Sequence, residues 1–435
     1  MSTVRLGTAV RRAVFAALLA TGAAAHAETL EQAWSLALSG DQGLAAATSE
    51  AEAARLELAA AKGGRLPVVM ASGTYSKLQD APAFDFSAAG LPFRLPELFD
   101  HDDLVMAGVN VELPLYTGGR ITNQIAAAEA GGVAREAVAD RTRADLRFGV
   151  AEAYVGVQRA ERSLATARSS VESLTRYVRD VESMFNREVV PRNDLLSAQV
   201  ALANAEQARL QSANAVELAR AAYNRRLGQP LDRPFALEPI PAMATDVGTL
   251  PLAVLEAEAL DKRDELVALK AQGEALGHAA AAEKSRLLPQ VSLTGGYQYL
   301  ENQALDRQEF AMVGVGMRWA LFDGTVRDKS SSLRQTQRAA EQRLGELRSM
   351  IALEVRQSYL SLNEARARVD VARGAVDQAE ENKRIADQQY AAGLVNSTRV
   401  LEAEALRVQS LANRENAIMD VELARLRLAR ATGRL

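Results

Sequence analysis

The residues best suited to chemistry in this sequence are few. Beyond the N-terminal apolar segment there are two histidines, His101 within the acidic stretch FDHDD and His278 beside a run of alanines. A histidine among carboxylates is a conceivable weak metal site, although a solvated loop accounts for FDHDD better. There is no cysteine, and no paired carboxylates or nucleophile motif stand in a recognisable context. We therefore expect no enzyme, no cofactor and no metal site.

The first 27 residues have the pattern of a secretory signal peptide. Arg5, Arg11 and Arg12 precede an apolar run, and Ala25-His26-Ala27 forms a small-x-small site that predicts cleavage after Ala27. A short amphipathic anchor is the alternative. Losing these three arginines and no acid changes the formal net charge from −4 to about −7. An acidic mature protein argues against nucleic acid as a partner.

The composition and the prolines point to long helices. Aromatic residues make up only 5% of the chain, and alanine, glutamate, arginine and leucine are abundant, as in helical coiled coils. No proline lies between Pro114 and Pro191 or after Pro289. Because proline breaks helix interiors, these spans are where long helices fit. A helix of the length from Ile121 to Arg187 would measure roughly 100 Å.

A heptad seam supports both long helices. From Leu146 to Phe185, apolar residues recur at alternating steps of four and three, which is the pattern of a left-handed coiled coil. A matching seam runs from Ile351 to Tyr390, with Ser358 and Lys383 as its polar interruptions. These helices are therefore expected to pack on other helices.

The chain reads as two structural repeats after the signal peptide. GRLPVVMASGTYSKL resembles SRLLPQVSLTGGYQYL, and MAGVNVELPLYTGGR resembles MVGVGMRWALFDGTVR. The first repeat, 28–240, comprises a helix, a β-hairpin at about 67–116, a long helix at about 118–187, a helix at about 193–227 and a proline-rich linker from 231. The second, 241–435, comprises a helix at about 251–286, a hairpin at about 290–322, a long helix at about 325–392 and a helix at about 396–432.

The hairpin strands alternate between apolar and polar or small residues over about ten residues each. This length and period suit transmembrane β-strands, and they suit ordinary surface hairpins packed on a coiled coil equally well. Four strands cannot close a barrel, and lipid does not tolerate an open sheet edge. If the strands span a membrane, several chains must therefore pool them.

Over essentially the whole mature chain, the sequence resembles the TolC-like channel-tunnels of the outer-membrane efflux protein family. The matching motifs are RLP at Arg65–Pro67, PLYTGGR and ALFDGTVR at the strand–helix junctions, DLLSAQVAL from Asp194, and QQYAAGLVNSTRVLEAEAL from Gln388. Their order and duplication carry the resemblance. It implies a mainly α fold with β: long coiled-coil helices that form an α-barrel, and two transmembrane β-hairpins per chain that close a twelve-stranded barrel in a homotrimer.

The resemblance also implies a function and partners. The protein is expected to lie in the outer membrane of a Gram-negative bacterium with its helices in the periplasm. There it would be the exit duct of a tripartite efflux pump or a type I secretion system, docked to a periplasmic adaptor that connects an inner-membrane pump or ABC exporter. The alternative is a periplasmic coiled-coil scaffold or adaptor without a pore, which would not need four alternating strands.

Several residues are candidates for structural roles at the membrane end. Gly118, Gly119 and Gly324 are expected to provide the dihedral angles at the strand–helix junctions, because their spacing fits no phosphate-binding loop. Pro114 lacks a ladder donor and suits a strand end. The candidates for an interfacial aromatic belt are Tyr297, Tyr299, Trp319 and Phe322.

The two tight turns between helices are the candidate adaptor-docking tips, as the resemblance implies. Asp194 has a second interpretation as the N-cap of the following helix, a role for which Asn193 competes. Glu188 stands in the first turn where the second turn has a glycine. The candidate tip residues are Val189, Val190, Pro191, Asp194, Gly393, Leu394 and Val395.

The family's gate combines a tyrosine with two acidic residues beyond the second turn. Tyr390 and Glu402 occupy the positions of the tyrosine and the second acid, while Arg399 replaces the first acid. Arg399 is expected either to pair with Glu402 at i,i+3 or to weaken an acidic ring. A solvated helix face with incidental charges is the alternative to a gate.

Overall fold

The computed structural model describes residues 27–79, 103–240, 247–301 and 307–435. The predicted signal peptide up to residue 26 and the loop that contains His101 lie outside these ranges. His278 is exposed on a helix. Within the described ranges, no group of three or more histidine, aspartate or glutamate residues is arranged to hold a metal ion.

Within the described ranges, eight α-helices and four strands follow the repeat. The first half contains α1 (Leu30–Gly40), α2 (Gln42–Gly63), β1 (Val68–Lys77), β2 (Asp103–Tyr116), α3 (Arg120–Asn186) and α4 (Arg192–Arg226). The second half contains α5 (Leu252–Lys262), α6 (Asp264–Lys284), β3 (Gln290–Leu300), β4 (Glu309–Arg318), α7 (Gly324–Ala391) and α8 (Ser397–Ala431). None of these helices is both long and apolar enough to cross a membrane.

The heptad seams are the buried faces of the two longest helices. In α3, Val150, Val157 and Val181 are fully buried, and in α7 Val355 and Leu362 are. Such burial contributes about 1.5–3 kcal/mol for each large aliphatic side chain. The steps of three and four in the sequence therefore identify the packed face of each helix, as a coiled-coil seam should.

Each predicted helix before a hairpin is in fact two helices. Asp41 separates α1 from α2, and Arg263 separates α5 from α6; both residues have extended backbone angles. The Asp41 side chain accepts a hydrogen bond from the Leu44 amide at 2.8 Å, as an N-cap does. Arg263 is buried and donates to the Ala431 carbonyl and to Glu354, both at 3.1 Å. The break at Asp41 therefore coincides with a local cap, and the break at Arg263 coincides with tertiary contacts.

The four strands form one antiparallel sheet in the order β1-β2-β3-β4. The middle pair, β2 and β3, joins the two hairpins, with Val109 opposite Tyr297 and Glu112 opposite Thr294. All strand–helix junctions consequently lie at the same end of the sheet.

The end of β2 agrees with the predicted hairpin bound, whereas the end of β4 does not. β2 continues past Pro114 to Tyr116 through an irregularity in its pairing with β3, so Pro114 lies just inside the strand end. β4 ends at Arg318, and the predicted strand residues Trp319 and Leu321 lie beyond it. Alternation predicts the face of a strand residue, but pairing with a neighbour decides where the strand stops.

By contacts, the chain forms two compact units that each draw on both repeats. The first takes the chain up to Ala45 with Arg141–Arg263 and Ser349–Leu435, and the second takes Ala46–Asp140 with Asp264–Arg348. The sheet belongs to the second unit. In the first, Tyr154, Tyr223 and Leu227 are fully buried in a core to which α1, α3, α4 and α8 contribute.

The linker between the repeats contacts Glu28, near the start of the described residues. Glu28 forms a parallel bridge with Leu237, and its carboxylate accepts from the Tyr223 hydroxyl at 2.6 Å and from Arg233 at 2.8 Å. The Tyr154 hydroxyl donates to the Glu28 carbonyl at 2.8 Å. These contacts fix the path of the described part of the linker.

Candidate functional site

The two turns between helices have the same backbone geometry. Glu188 has a φ of 62° and Gly393 has a φ of 69°. The next amides, those of Val189 and Leu394, each donate back across the turn to a carbonyl of the preceding helix, at 3.0 and 2.9 Å. This is a helix-terminating motif that glycine favours. The left-handed conformation costs Glu188 about 1–2 kcal/mol, so the first turn keeps a strained residue that the second avoids.

The tip residues divide into exposed and packed side chains. Val189 is 67% exposed and Leu394 is 75% exposed. The neighbouring Val190 and Val395 instead pack against a core cluster that contains Val181 and Tyr390. In each turn, one apolar side chain is thus exposed to solvent, and the apolar side chain of the next residue packs against the core. Pro191 and Gly393 are both exposed.

Tyr390 is a buried residue that joins helices around the two turns. Its hydroxyl donates to Asp194 Oδ2 at 3.2 Å, and its ring lies 5.6 Å from the ring of Tyr177. Burial, and after it the Asp194 carboxylate, raises the pKa of Tyr390 to about 12. The phenol therefore keeps its proton and remains a donor to Asp194 at physiological pH.

The interpretation of Asp194 or Asn193 as an N-cap is wrong. The N-cap of α4 is Pro191, and no side chain bonds to the first turn there. Asp194 lies inside that turn, where a carboxylate also suits the positive end of the helix dipole. In α8, by contrast, Asn396 is the N-cap, and its side chain accepts from the Arg399 amide at 3.3 Å.

Arg399 and Glu402 form the i,i+3 ion pair that their spacing predicts. Their charged atoms are 3.8 Å apart, and the side chains are 55% and 60% exposed. Such a pair contributes little to stability. Among the described residues, no hydrogen bond or ion pair connects either side chain to Tyr390. The three gate candidates therefore comprise one buried tyrosine and a separate exposed pair.

A buried ionic network near the turns was not predicted from the sequence. Glu404, only 3% exposed, accepts two hydrogen bonds from Arg407, at 2.7 and 3.0 Å, and one from Ser173 at 3.0 Å. Lys383 bonds Asp387 at 2.6 Å and lies 4.0 Å from Glu404. The one sequence signal for this network is Lys383, the charge that interrupts the heptad seam of α7.

The junction glycines fall into two classes. Gly118 and Gly119 have φ angles of 60° and 85°, left-handed values that glycine adopts without strain. The expectation for Gly324 is wrong, because its φ is not positive and it is the first residue of α7. There the turn is stabilised by Asp323, whose carboxylate accepts from the Thr325 amide at 3.0 Å.

The candidate belt aromatics all lie in the sheet or next to it. Tyr297 and Tyr299 are on one face of β3, and the Tyr297 hydroxyl donates to Glu309. Trp319 donates to the Leu287 carbonyl at 3.1 Å, and Phe322 is 90% exposed.

Both the sequence and the fold are similar to those of known proteins. The profile of the outer membrane efflux protein family matches residues 33–229 and 255–434. The chain therefore belongs to the outer membrane efflux protein family, whose fold is a TolC-like channel-tunnel. It is an outer-membrane transport protein of a Gram-negative bacterium, with its helical part in the periplasm.

Individual relatives agree over nearly the full length. The outer membrane efflux protein BepC of Brucella suis biovar 1 (strain 1330) is 24% identical over 430 residues, which cover 95% of this chain and 87% of BepC. The fold resembles the outer membrane protein VceC of Vibrio cholerae with a TM-score of 0.79 and 20% identity, covering 93% of this chain and 96% of VceC. It also resembles the outer membrane channel CmeC of Campylobacter jejuni, with a TM-score of 0.77 and 16% identity over 93% and 85% of the two chains.

Proposed function

We propose that three copies of this chain form a continuous channel-tunnel. It would be the exit duct of a tripartite efflux pump or a type I secretion system. Its sheets would pool into a twelve-stranded barrel, its helices would form a periplasmic tube, and its tips would dock to an adaptor that connects an inner-membrane pump or ABC exporter. The observation that carries this proposal is the four-stranded sheet, which is apolar on one face and open at both edges.

The register aligns a continuous set of apolar residues from all four strands on one face. Val69 pairs with Val111, Val109 with Tyr297, and Leu293 with Val315. On β4 this face is bare, with Val313 83% exposed and Met317 68% exposed. The opposite face is the more polar one: it carries Met70, Met106, Phe310 and Met312, but also Ser72, Asn110, Glu112, Ser292, Thr294 and Gln298. One face suits lipid and the other suits a watery lumen.

The sheet edges indicate that several copies assemble. Within the described residues, β1 and β4 each pair on one side only. Backbone groups left unpaired in lipid cost several kcal/mol each, so further strands must cover both edges. Two copies would give eight strands, a barrel whose interior side chains fill. Three copies give twelve strands and room for a lumen. A periplasmic scaffold, the alternative, would leave this apolar face in water.

The helices of the first unit also have exposed apolar side chains. On α7, Met350, Leu353 and Leu360 are 60%, 56% and 58% exposed at heptad spacing. On α4, Val200 and Leu210 are 61% and 60% exposed. Stripes of this kind fit neighbouring helices of further copies in a closed ring.

At the tips, the arrangement suits docking and gating. The bare side chains of Val189 and Leu394 offer apolar contacts to an adaptor. The hydrogen bond between Tyr390 and Asp194 would hold the helix pairs together in a closed state, and adaptor contacts would release it. The exposed Arg399–Glu402 pair would line the constriction, where Arg399 offsets the negative charge of Glu402.

Cross-linking between copies tests the assembly, because the chain has no native cysteine. We expect the double variant Ser72→Cys/Gly314→Cys, with one cysteine on each edge strand, to yield covalent trimers when a bifunctional maleimide is added to the purified protein. Each single variant is a control that should remain monomeric on a denaturing gel, since β1 meets β4 rather than itself. Monomers from the double variant, in a preparation that is fully maleimide-reactive, would contradict the closed barrel.

A further inference from the structure

A cleft of about 700 Å³ opens at the end of the sheet where strands pass into helices. Its wall on the sheet includes the small residues Ser292, Thr294 and Gly316, alongside larger ones such as Glu112 and Met317. The paired positions Ser292 and Gly316 place these small residues on the polar face. We call this space the junction cleft. It would open towards the lumen of the proposed channel, so the inference rests on the proposed function.

Three arginines line the junction cleft: Arg120 at the start of α3, Arg286 before β3 and Arg318 at the end of β4. Arg286 is committed to carboxylates, with Glu283 at 2.7 Å and Asp323 at 3.5 Å. The Arg120 guanidinium donates to the neutral Gln124 side chain at 3.5 Å, and among the described residues neither Arg120 nor Arg318 has an ion-pair partner. Two guanidinium groups in the cleft are therefore available for a ligand.

Among the described residues, neither acidic residue of the junction cleft forms an ion pair with Arg120 or Arg318. Asp323 is occupied by Thr325, whose hydroxyl donates to it at 2.7 Å, and by Arg286. Glu112 pairs with Thr294 of β3, and Arg318 pairs with Gln290 of the same strand. Thr294 and Gln290 are four residues apart. That spacing corresponds to roughly 13 Å along a strand. The acid and the arginine thus lie at different levels of the same face.

We propose that the junction cleft is an oxyanion-binding site, at which Arg120 and Arg318 hold a phosphate or carboxylate group of a solute in transit. Guanidinium groups bind such oxyanions through paired, charge-assisted hydrogen bonds. The polar face favours a soluble anion over a lipid headgroup, because lipid belongs on the opposite, apolar face. In a trimer the site would occur three times around the neck between helical tube and barrel.

The test is equilibrium binding of inorganic phosphate to the purified full-length protein in a phosphate-free detergent, followed by phosphorus NMR. We expect saturable binding that weakens roughly tenfold in Arg120→Gln/Arg318→Gln. The control, Arg343→Gln/Arg348→Gln, removes two exposed arginines of α7 outside the cleft and should bind as the unaltered protein does.

Equal binding by the unaltered protein and the cleft variant, or an equal loss in the control, would overturn the site. Binding of a short-chain phosphatidylglycerol but not of inorganic phosphate would also overturn it, in favour of a lipid contact. None of these outcomes requires a conducting pore. Failure of the site is therefore distinguishable from failure of the channel, which cross-linking and conductance report.

Discussion

Replacing Glu404 by alanine is expected to destabilise the protein by roughly 3–5 kcal/mol, because it breaks a buried ion pair and leaves a charge behind. Among the described residues, Arg407 would then keep the Ser169 hydroxyl, at 3.3 Å, as its one side-chain hydrogen-bond partner. The Arg407 side chain is only 13% exposed. Its guanidinium therefore cannot be hydrated unless the packing of the helices opens. Lys383 would lose a carboxylate 4.0 Å away but retain Asp387.

The measurement is thermal unfolding followed by circular dichroism in detergent. For a chain of this length, the expected loss corresponds to a fall in Tm of about 3–5 °C. Glu402→Ala is the matched control: it lies two residues away, is 60% exposed, and should change stability by less than about 1 kcal/mol. Glu404→Leu/Arg407→Leu should recover much of the loss, since both charges leave together. A Glu404→Ala variant as stable as the control would show that the network is hydrated.

Replacing Gly118 by alanine is expected to be the most damaging small substitution at the membrane end. A Cβ there would lie 2.5 Å from Leu288 Cβ and 3.0 Å from the Ser285 carbonyl oxygen, and the residue has a φ of 60°. The left-handed conformation costs about 1–2 kcal/mol, and the overlap adds about 1–3 kcal/mol. Because Leu288 leads directly into β3, relief of the overlap would shift the sheet.

Gly324→Ala at the second junction is the control for Gly118→Ala. Its new Cβ would meet Phe322 no closer than 3.7 Å, and its backbone angle suits any residue. We expect its stability to stay within about 0.5 kcal/mol of the unaltered protein. The Tm of each purified variant, together with its yield from the outer membrane, checks the difference. Equal tolerance of alanine at both sites would contradict the geometry of the first junction.

The long helices could be predicted because their signal is local and repeated. Seam residues such as Val157 and Leu362 recur at fixed spacing, and they are the residues that the structure buries. The strands alternate in the same way, so their apolar face could be assigned from sequence. Family resemblance then supplied the architecture and the outer-membrane location.

The features that could not be predicted depend on contacts distant in sequence. The helix break at Arg263 depends on the Ala431 carbonyl, and Asp194 meets Tyr390 across 196 residues rather than capping its own helix. The end of β4 at Arg318 depends on its pairing with Gln290. Gly324 resembles Gly118 in its sequence context, but only Gly118 approaches Leu288 closely. A single sequence contains no direct signal for these contacts.

The proposed function requires that the assembled protein enclose water across a membrane and close at its tips. Single-channel recording of the purified protein in planar bilayers tests it most directly, with Tyr390→Phe alongside because it removes only the hydroxyl that donates to Asp194. We expect uniform conductance steps for both proteins and a higher open probability for Tyr390→Phe. A detergent-stable trimer that never conducts in either form would contradict the channel and favour a periplasmic scaffold.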